Sequence, residues 1–158
     1  MDKLTLFLQF AIGEDRFVFD CAQVREVLPY LSLKPILQAP KGVVGLFDYR
    51  GKLTPVIDIT ELTLGRKART RVSTRIIVFN YLDPLGDSHP LGLIAENVTR
   101  TYRRNKDDFV ASGVENRTTP YLGPVAPDPD GLIQYVDAQK LLPPSVCDIL
   151  FQTLAEET

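Results

Sequence analysis

The sequence predicts a mainly β protein built from small closed or nearly closed barrels, and three observations carry that prediction. Short apolar runs recur along the chain, the first alternating with the period of two that marks a strand. Turn signals separate the runs at close spacing, among them Gly13-Glu14-Asp15, Arg50-Gly51 and Asp128-Pro129-Asp130-Gly131. A strand, an aspartate and a short helix occur twice, as Ile57-Asp58-Ile59-Thr60-Glu61-Leu62 and Val136-Asp137-Ala138-Gln139-Lys140-Leu141-Leu142. The repetition points to two similar β units, and closing short strands into barrels removes their exposed edges.

Taken in order, Leu4, Leu6, Leu8, Phe10 and Ile12 alternate with Thr5, Phe7, Gln9 and Ala11, which predicts a strand with one face strongly buried. Residues 16–19 form the returning strand. Asp20 is placed to cap a short helix reaching Leu28, with Gln23 in the capping-box position and Pro29 closing it. Residues 31–37 read as extended, with Pro35 at an edge or bulge because proline donates nothing to a ladder. The central feature follows: a strand, the tight turn Arg50-Gly51, and a second strand ending in Val56-Ile57 before Asp58. Glycine takes a positive φ without steric cost, which a tight hairpin requires. Asp58 is expected to cap a helix over residues 59–64, with Glu61 as capping-box partner. Arg50 is the unusual residue here, a fixed charge at the mouth of an apolar hairpin; its simplest reading is a turn arginine paired with Asp48.

Segment 65–71 carries Arg66, Lys67, Arg69 and Arg71 and no large apolar residue. It reads as a solvated linker between two halves, since no aromatic is interleaved for base stacking. Strands are predicted over 74–81, 91–95 and 98–104, with a turn-rich loop over 83–90. Two more flank the Asp128–Gly131 turn, at 121–125 and 132–136. Pro143-Pro144 breaks the chain before a C-terminal helix with Val146, Ile149, Leu150 and Leu154 on one face. The expected layout is a single domain over 1–158: a first barrel at 4–65, a linker at 66–72, a second barrel at 73–142 and the helix at 144–155.

At 158 residues the chain is long enough for one domain with a sizeable core. Its 44% hydrophobic and 24% charged residues are ordinary globular values. A net charge of -2 offers no general attraction to phosphate, which weighs against a dedicated nucleic-acid binder. No run reaches the roughly 18 apolar residues of a spanning helix, so direct membrane insertion is not expected and a cytoplasmic location is. Cys21 and Cys147 lie far apart and read as small buried hydrophobes. The catalytic inventory is empty: the sole histidine, His89, lies between Ser88 and Pro90 and reads as an ordinary surface residue. No His/Cys group has metal-ligand spacing, neither phosphate-binding glycine motif is present, and Asp107-Asp108 reads as a neutralised charge cluster beside Arg103, Arg104 and Lys106. No catalytic, cofactor-binding or metal-binding residue is expected.

The central stretch also carries a resemblance. Gly45-Leu46-Phe47-Asp48-Tyr49-Arg50-Gly51, then Leu53-Thr54-Pro55-Val56-Ile57-Asp58-Ile59 and a short helix, resembles the signature of the CheW family of chemotaxis scaffold proteins. The family's order extends to the strand over 7–12, to Phe17-Val18-Phe19-Asp20 and to Val24-Arg25-Glu26-Val27-Leu28, so the resemblance covers nearly the whole chain. One departure is Asp48, where the family most often has Asn. The resemblance implies two SH3-like five-stranded barrels around a shared hydrophobic core. It implies a non-enzymatic adaptor between the cytoplasmic hairpin tip of chemoreceptors and the regulatory domain of a CheA-type histidine kinase, recruited to membrane-associated receptor arrays. Family receptor-binding positions fall on Val24, Glu26, Gly45 and Arg50. From another class, a small barrel that binds single-stranded nucleic acid or oligosaccharide would use Arg50 and the cations of segment 66–71.

Overall fold

Both faces of the opening strand are apolar, so the chain must bury it from two sides. β1 (Leu4–Ile12) is buried at every residue from Phe7 to Ile12, with Leu8, Phe10 and Ile12 in one cluster and Phe7 in another. The one-faced strand of the sequence reading is thus a two-faced one. The computed structural model describes residues 4–113 and 118–143 together with Val146, Leu150 and Phe151. After β1 come β2 (Asp15–Asp20), β3 (Val24–Pro29), β4 (Val43–Tyr49), β5 (Lys52–Asp58), α1 (Ile59–Leu64), β6 (Arg75–Leu82), β7 (Ser88–Asn105), β8 (Leu122–Asp128) and β9 (Gly131–Val136). Single 3₁₀ turns stand at Cys21–Gln23, Lys106–Asp108 and Ala138–Lys140.

The strands sort into two five-stranded units. In one, β3 pairs with β6, β6 with β7, β7 with β5 in parallel, and β5 with β4. The ring is closed by a single bridge, with 2.9 Å hydrogen bonds in both directions between Lys34 and Leu46. In the other, β7 pairs with β1, β1 with β2, β2 with β9 in parallel, and β9 with β8. Its closure is the matching bridge between Val110 and Val125, with both bonds 2.8 Å. β7 serves both: at 18 residues it leaves β6 at Ala95 and joins β1 from Glu96, with Asn97 at φ 51 in the register shift just past the switch. The separate strands expected at 91–95 and 98–104 are therefore one.

The repeat read from the sequence is real in the backbone. Asp58 N–H donates to Gly42 O at 2.9 Å and Asp137 N–H to Tyr121 O at 2.8 Å, and each aspartate side chain caps the turn that follows. Asp58 accepts from Thr60 and Glu61 N–H, so α1 forms as expected, but Glu61 does not complete a capping box because the Asp58 N–H is already bonded. Each half of the chain lends its first hairpin to the other's unit: β1 and β2 stand with β8 and β9, β6 and the start of β7 with β3, β4 and β5. The split at 66–72 consequently joins two strands of one unit rather than two barrels.

Three apolar clusters form among the described residues. One fills the unit of β3–β6 with Phe47, Tyr49, Val56, Ile76, Val78 and Ile94. Another fills the second unit around Phe7, Val18, Ala126 and Ile133. The largest lies between the two, with Phe10, Phe19, Ile57, Phe79, Leu93 and Val136 among its members, and is the shared core. Val146 and Leu150 pack against it and Phe151 stacks on Tyr81, while Ile149, Leu154, Cys147 and most of the expected C-terminal helix lie outside the described residues.

Two local expectations are corrected. Asp20 does cap, accepting from Ala22 N–H at 2.9 Å, but only the 3₁₀ turn follows, and residues from Val24 onward are strand. Pairing with β6 from Phe79 to Arg75 outweighs the helical cue. Segment 31–37 forms no strand; its backbone pairs with β4 through Lys34, while Leu31 and Leu33 pack on the cluster of Phe47 and Tyr49.

Candidate functional site

The tip of the β4–β5 hairpin is set by backbone chemistry. Arg50 at φ 51 and Gly51 at φ 85 make a turn of the primed type, which matches the twist of the flanking strands. The Asp48 carboxylate accepts from Gly51 N–H at 2.7 Å and so fixes the turn. Asp48 is therefore not the partner of Arg50, contrary to the simplest sequence reading. The guanidinium reaches to β3, where Arg50 Nη2 lies 2.9 Å from Glu26 Oε1. The same oxygen accepts from the Tyr49 hydroxyl at 3.0 Å, and the guanidinium carbon stands 5.6 Å from the Tyr49 ring centroid. Burial first, and then the bond to Glu26, push the Tyr49 phenol above its ordinary pKa. The Arg50 side chain is 75% exposed and that of Glu26 34%.

Glu26 reaches the cluster because the register with β6 slips between Val24 and Glu26, leaving Arg25 as the extra residue. Arg25 turns outward and bonds Asn80 and Ser88. Beside the cluster, Leu28, Leu31, Leu46, Phe47 and Leu53 line a groove of about 650 Å³.

The four positions implied by the resemblance do not meet at one point. Glu26 and Arg50 do, as an ion pair. Gly45 is buried beneath the closing bridge: a Cβ there would stand 2.8 Å from Lys34 O and 2.9 Å from Leu33 Cβ. Its close approach is to the chain's own backbone. Val24 pairs with Phe79 and packs against the shared core. Tyr49, which joins Glu26 and Arg50, was not singled out by sequence, although its place directly before the turn was visible.

Other charged features have structural partners. Segment 66–71 is pinned rather than freely solvated: Ala68 N–H donates to Asp58 at 2.9 Å, Arg69 N–H to Glu96 at 3.1 Å, and Arg66 lies 3.5 Å from Glu96. Burial raises the Asp58 carboxyl above its usual range, against the lowering effect of its backbone donors. His89 lies on β7 rather than in an exposed loop; its Nε2 is 2.8 Å from Asp83 and its ring stacks on Phe151 at 4.4 Å. Asp108 pairs with Arg104 at 2.9 Å. Among the described residues no group of three His, Cys, Asp or Glu side chains is placed to hold a metal ion.

Comparison with known proteins bears on what this site serves. The model of the CheW-like domain matches residues 6–144. The chain is 25% identical over 142 residues to the chemotaxis protein CheW of Klebsiella aerogenes, covering 86% of this chain and 80% of that protein. It is 23% identical over 109 residues to the chemotaxis protein CheW of Helicobacter pylori, where the match spans 68% of this chain and 62% of the relative. It is 28% identical over 92 residues to protein FrzA of Myxococcus xanthus, spanning 54% of that relative's length. The crystal structure of the scaffolding protein TtCheW from Thermoanaerobacter tengcongensis superposes with a TM-score of 0.75 at 23% identity, covering 90% of this chain and 89% of that one. Its likeness shows the same fold.

Proposed function

The chain belongs to the CheW-like domain family, and from that premise we propose that it is a non-enzymatic adaptor coupling chemoreceptors to a CheA-type histidine kinase. In this reading one surface takes the cytoplasmic hairpin tip of a receptor and another the regulatory domain of the kinase, at membrane-associated receptor arrays. No helix among the described residues is long and apolar enough to cross a membrane.

The observation that carries the receptor arm is Arg50. It is largely exposed, yet it holds a left-handed backbone conformation that costs an ordinary residue about 1–2 kcal/mol and that glycine or asparagine would adopt more readily. Its pair with Glu26 is too exposed to offset that cost, since such pairs contribute about 0–1 kcal/mol. A guanidinium kept in this position at the expense of stability is one kept for a partner, where a planar fork of donors suits a carboxylate. Glu26 and Arg50 are the contacting residues in this reading. Gly45 shapes the face by admitting the closing bridge, and Val24 anchors β3 to the core.

Titrating the purified protein with a receptor hairpin-tip fragment, with a kinase regulatory domain, and with a single-stranded oligonucleotide tests the proposal. Saturable binding of the first two and none of the third is expected. Binding of the oligonucleotide alone would replace the adaptor with the nucleic-acid reading.

A further inference from the structure

We propose that the groove beside the Glu26–Arg50 pair recognises a receptor segment that presents a bulky aliphatic or aromatic side chain next to a carboxylate. The inference rests on the hairpin face being the receptor-docking site, and it specifies the chemistry that docks there.

The groove is a seam. β3 pairs along one edge with β6, and β4 along one edge with β5, so between residues 26–29 and 47–50 the ring is open until Lys34 and Leu46 close it. The second unit has the equivalent seam, which makes it an internal control. By register, Leu28 opposite Ile76 corresponds to Tyr102 opposite Phe7. In that unit the rings of Phe7, Tyr102, Phe109 and Tyr135 pack with centroids 5.3 to 6.4 Å apart and fill the interior. The Arg104 guanidinium also spans its seam to the Pro127 carbonyl. In the first unit a leucine stands in the tyrosine's place, and the seam opens into the groove of about 650 Å³. Among the described residues, large rings and a guanidinium occupy the second seam, whereas smaller apolar side chains line the first and leave room for a guest side chain.

The walls decide what fits. Leu28, Leu31, Leu46, Phe47 and Leu53 favour an apolar side chain. At the rim stand Arg50 and Lys34, with Arg25 and Lys52 on the adjoining surface. The rim carboxylates are already engaged, Glu26 by Tyr49 and Arg50 and Asp48 by Gly51 N–H. With Arg25 and Lys52 counted, four cations outnumber these two carboxylates, so an incoming carboxylate meets a net positive rim while its apolar neighbour enters the groove.

The test plugs the groove without touching the core. Ser32 is exposed and lines it, so Ser32→Trp fills the space and Ser32→Ala controls for loss of the hydroxyl. Titrated with a receptor hairpin-tip fragment at low and high salt, Ser32→Trp is expected to weaken binding about tenfold or more at both, as for a blocked apolar anchor. Arg50→Ala is expected to lose most at low salt, because screening already weakens its contribution at high salt. Leu53→Ala, which removes one wall at a half-buried position, supplies the second reading if the tryptophan lowers the melting temperature. Wild-type affinity in folded Ser32→Trp and in Leu53→Ala, with Arg50→Ala impaired, would overturn the groove and leave the docking face standing. A fragment that does not bind the wild type overturns both.

Discussion

At the scale of single residues, stability and binding should separate at Arg50. Removing its exposed side chain is expected to cost about 0.5 kcal/mol or less, while truncation in a complex commonly costs about 2 kcal/mol or more. Arg50→Ala should melt with the wild type and bind a receptor fragment roughly tenfold or more weakly, and Arg50→Gly, which relieves the positive φ, should melt no lower. Loss of the fold in either variant would make the arginine a structural turn residue. A different residue pair should be visible in the acid limb of stability. Arg16 forms two bonds of 2.9 and 2.7 Å to Asp128, and that contact first of all holds the Asp128 carboxyl below its ordinary value. A depressed folded-state pKa contributes stability that is present above the unfolded value of about 3.9 and is lost as the pH falls toward the folded one. Arg16→Gln should therefore flatten the fall in melting temperature below about pH 4; an unchanged slope would contradict the pairing. The oddity of Arg50 was legible in the sequence, but its partner was not, because Asp48 is the neighbour along the chain and Glu26 the neighbour in space.

At the scale of elements, what could be read in advance is what local chemistry determines. The Arg50-Gly51 turn and the Asp58 and Asp137 caps formed as expected, since each depends on a few consecutive residues. β3 did not, because Val24 to Leu28 carries a short pattern compatible with helix or strand, and β6, some 50 residues away in sequence, decides it. The closing bridge is the element where one atom should matter most. Gly45→Ala places a methyl 2.8 Å from Lys34 O, a backbone atom that cannot swing aside, so destabilisation of about 1–3 kcal/mol is expected in denaturant titration. A neutral substitution would show that the bridge is not a fixed part of the ring. Leu150 tests the C-terminal end in the same way: it is 7% exposed against the shared core, and Leu150→Ala should cost about 2–5 kcal/mol.

At the scale of the whole molecule, the exchange of hairpins ties the two barrels into one cooperative unit. A fragment ending before residue 72 lacks β6 and β7, and with them one partner of β3, of β5 and of β1. It should not fold, and the full chain should unfold in one transition by spectroscopic and calorimetric probes alike. The two similar units were legible in the repeated strand, aspartate and short helix, while the shared core was expected only from the family resemblance. The sequence did not carry the exchange, since strand order is a matter of long-range pairing that leaves no local trace. Such interlocking ties the strands of both units into one body, on which the proposed adaptor role places two docking faces. The measurement closest to the central claim is therefore retention of a kinase regulatory domain on an immobilised receptor hairpin-tip fragment. The kinase domain should be held only when this protein is present, and Arg50→Ala should abolish retention while still binding the kinase domain in solution. If both binary complexes form but the kinase domain is never retained, the two partners compete for one face and the protein is not a coupler.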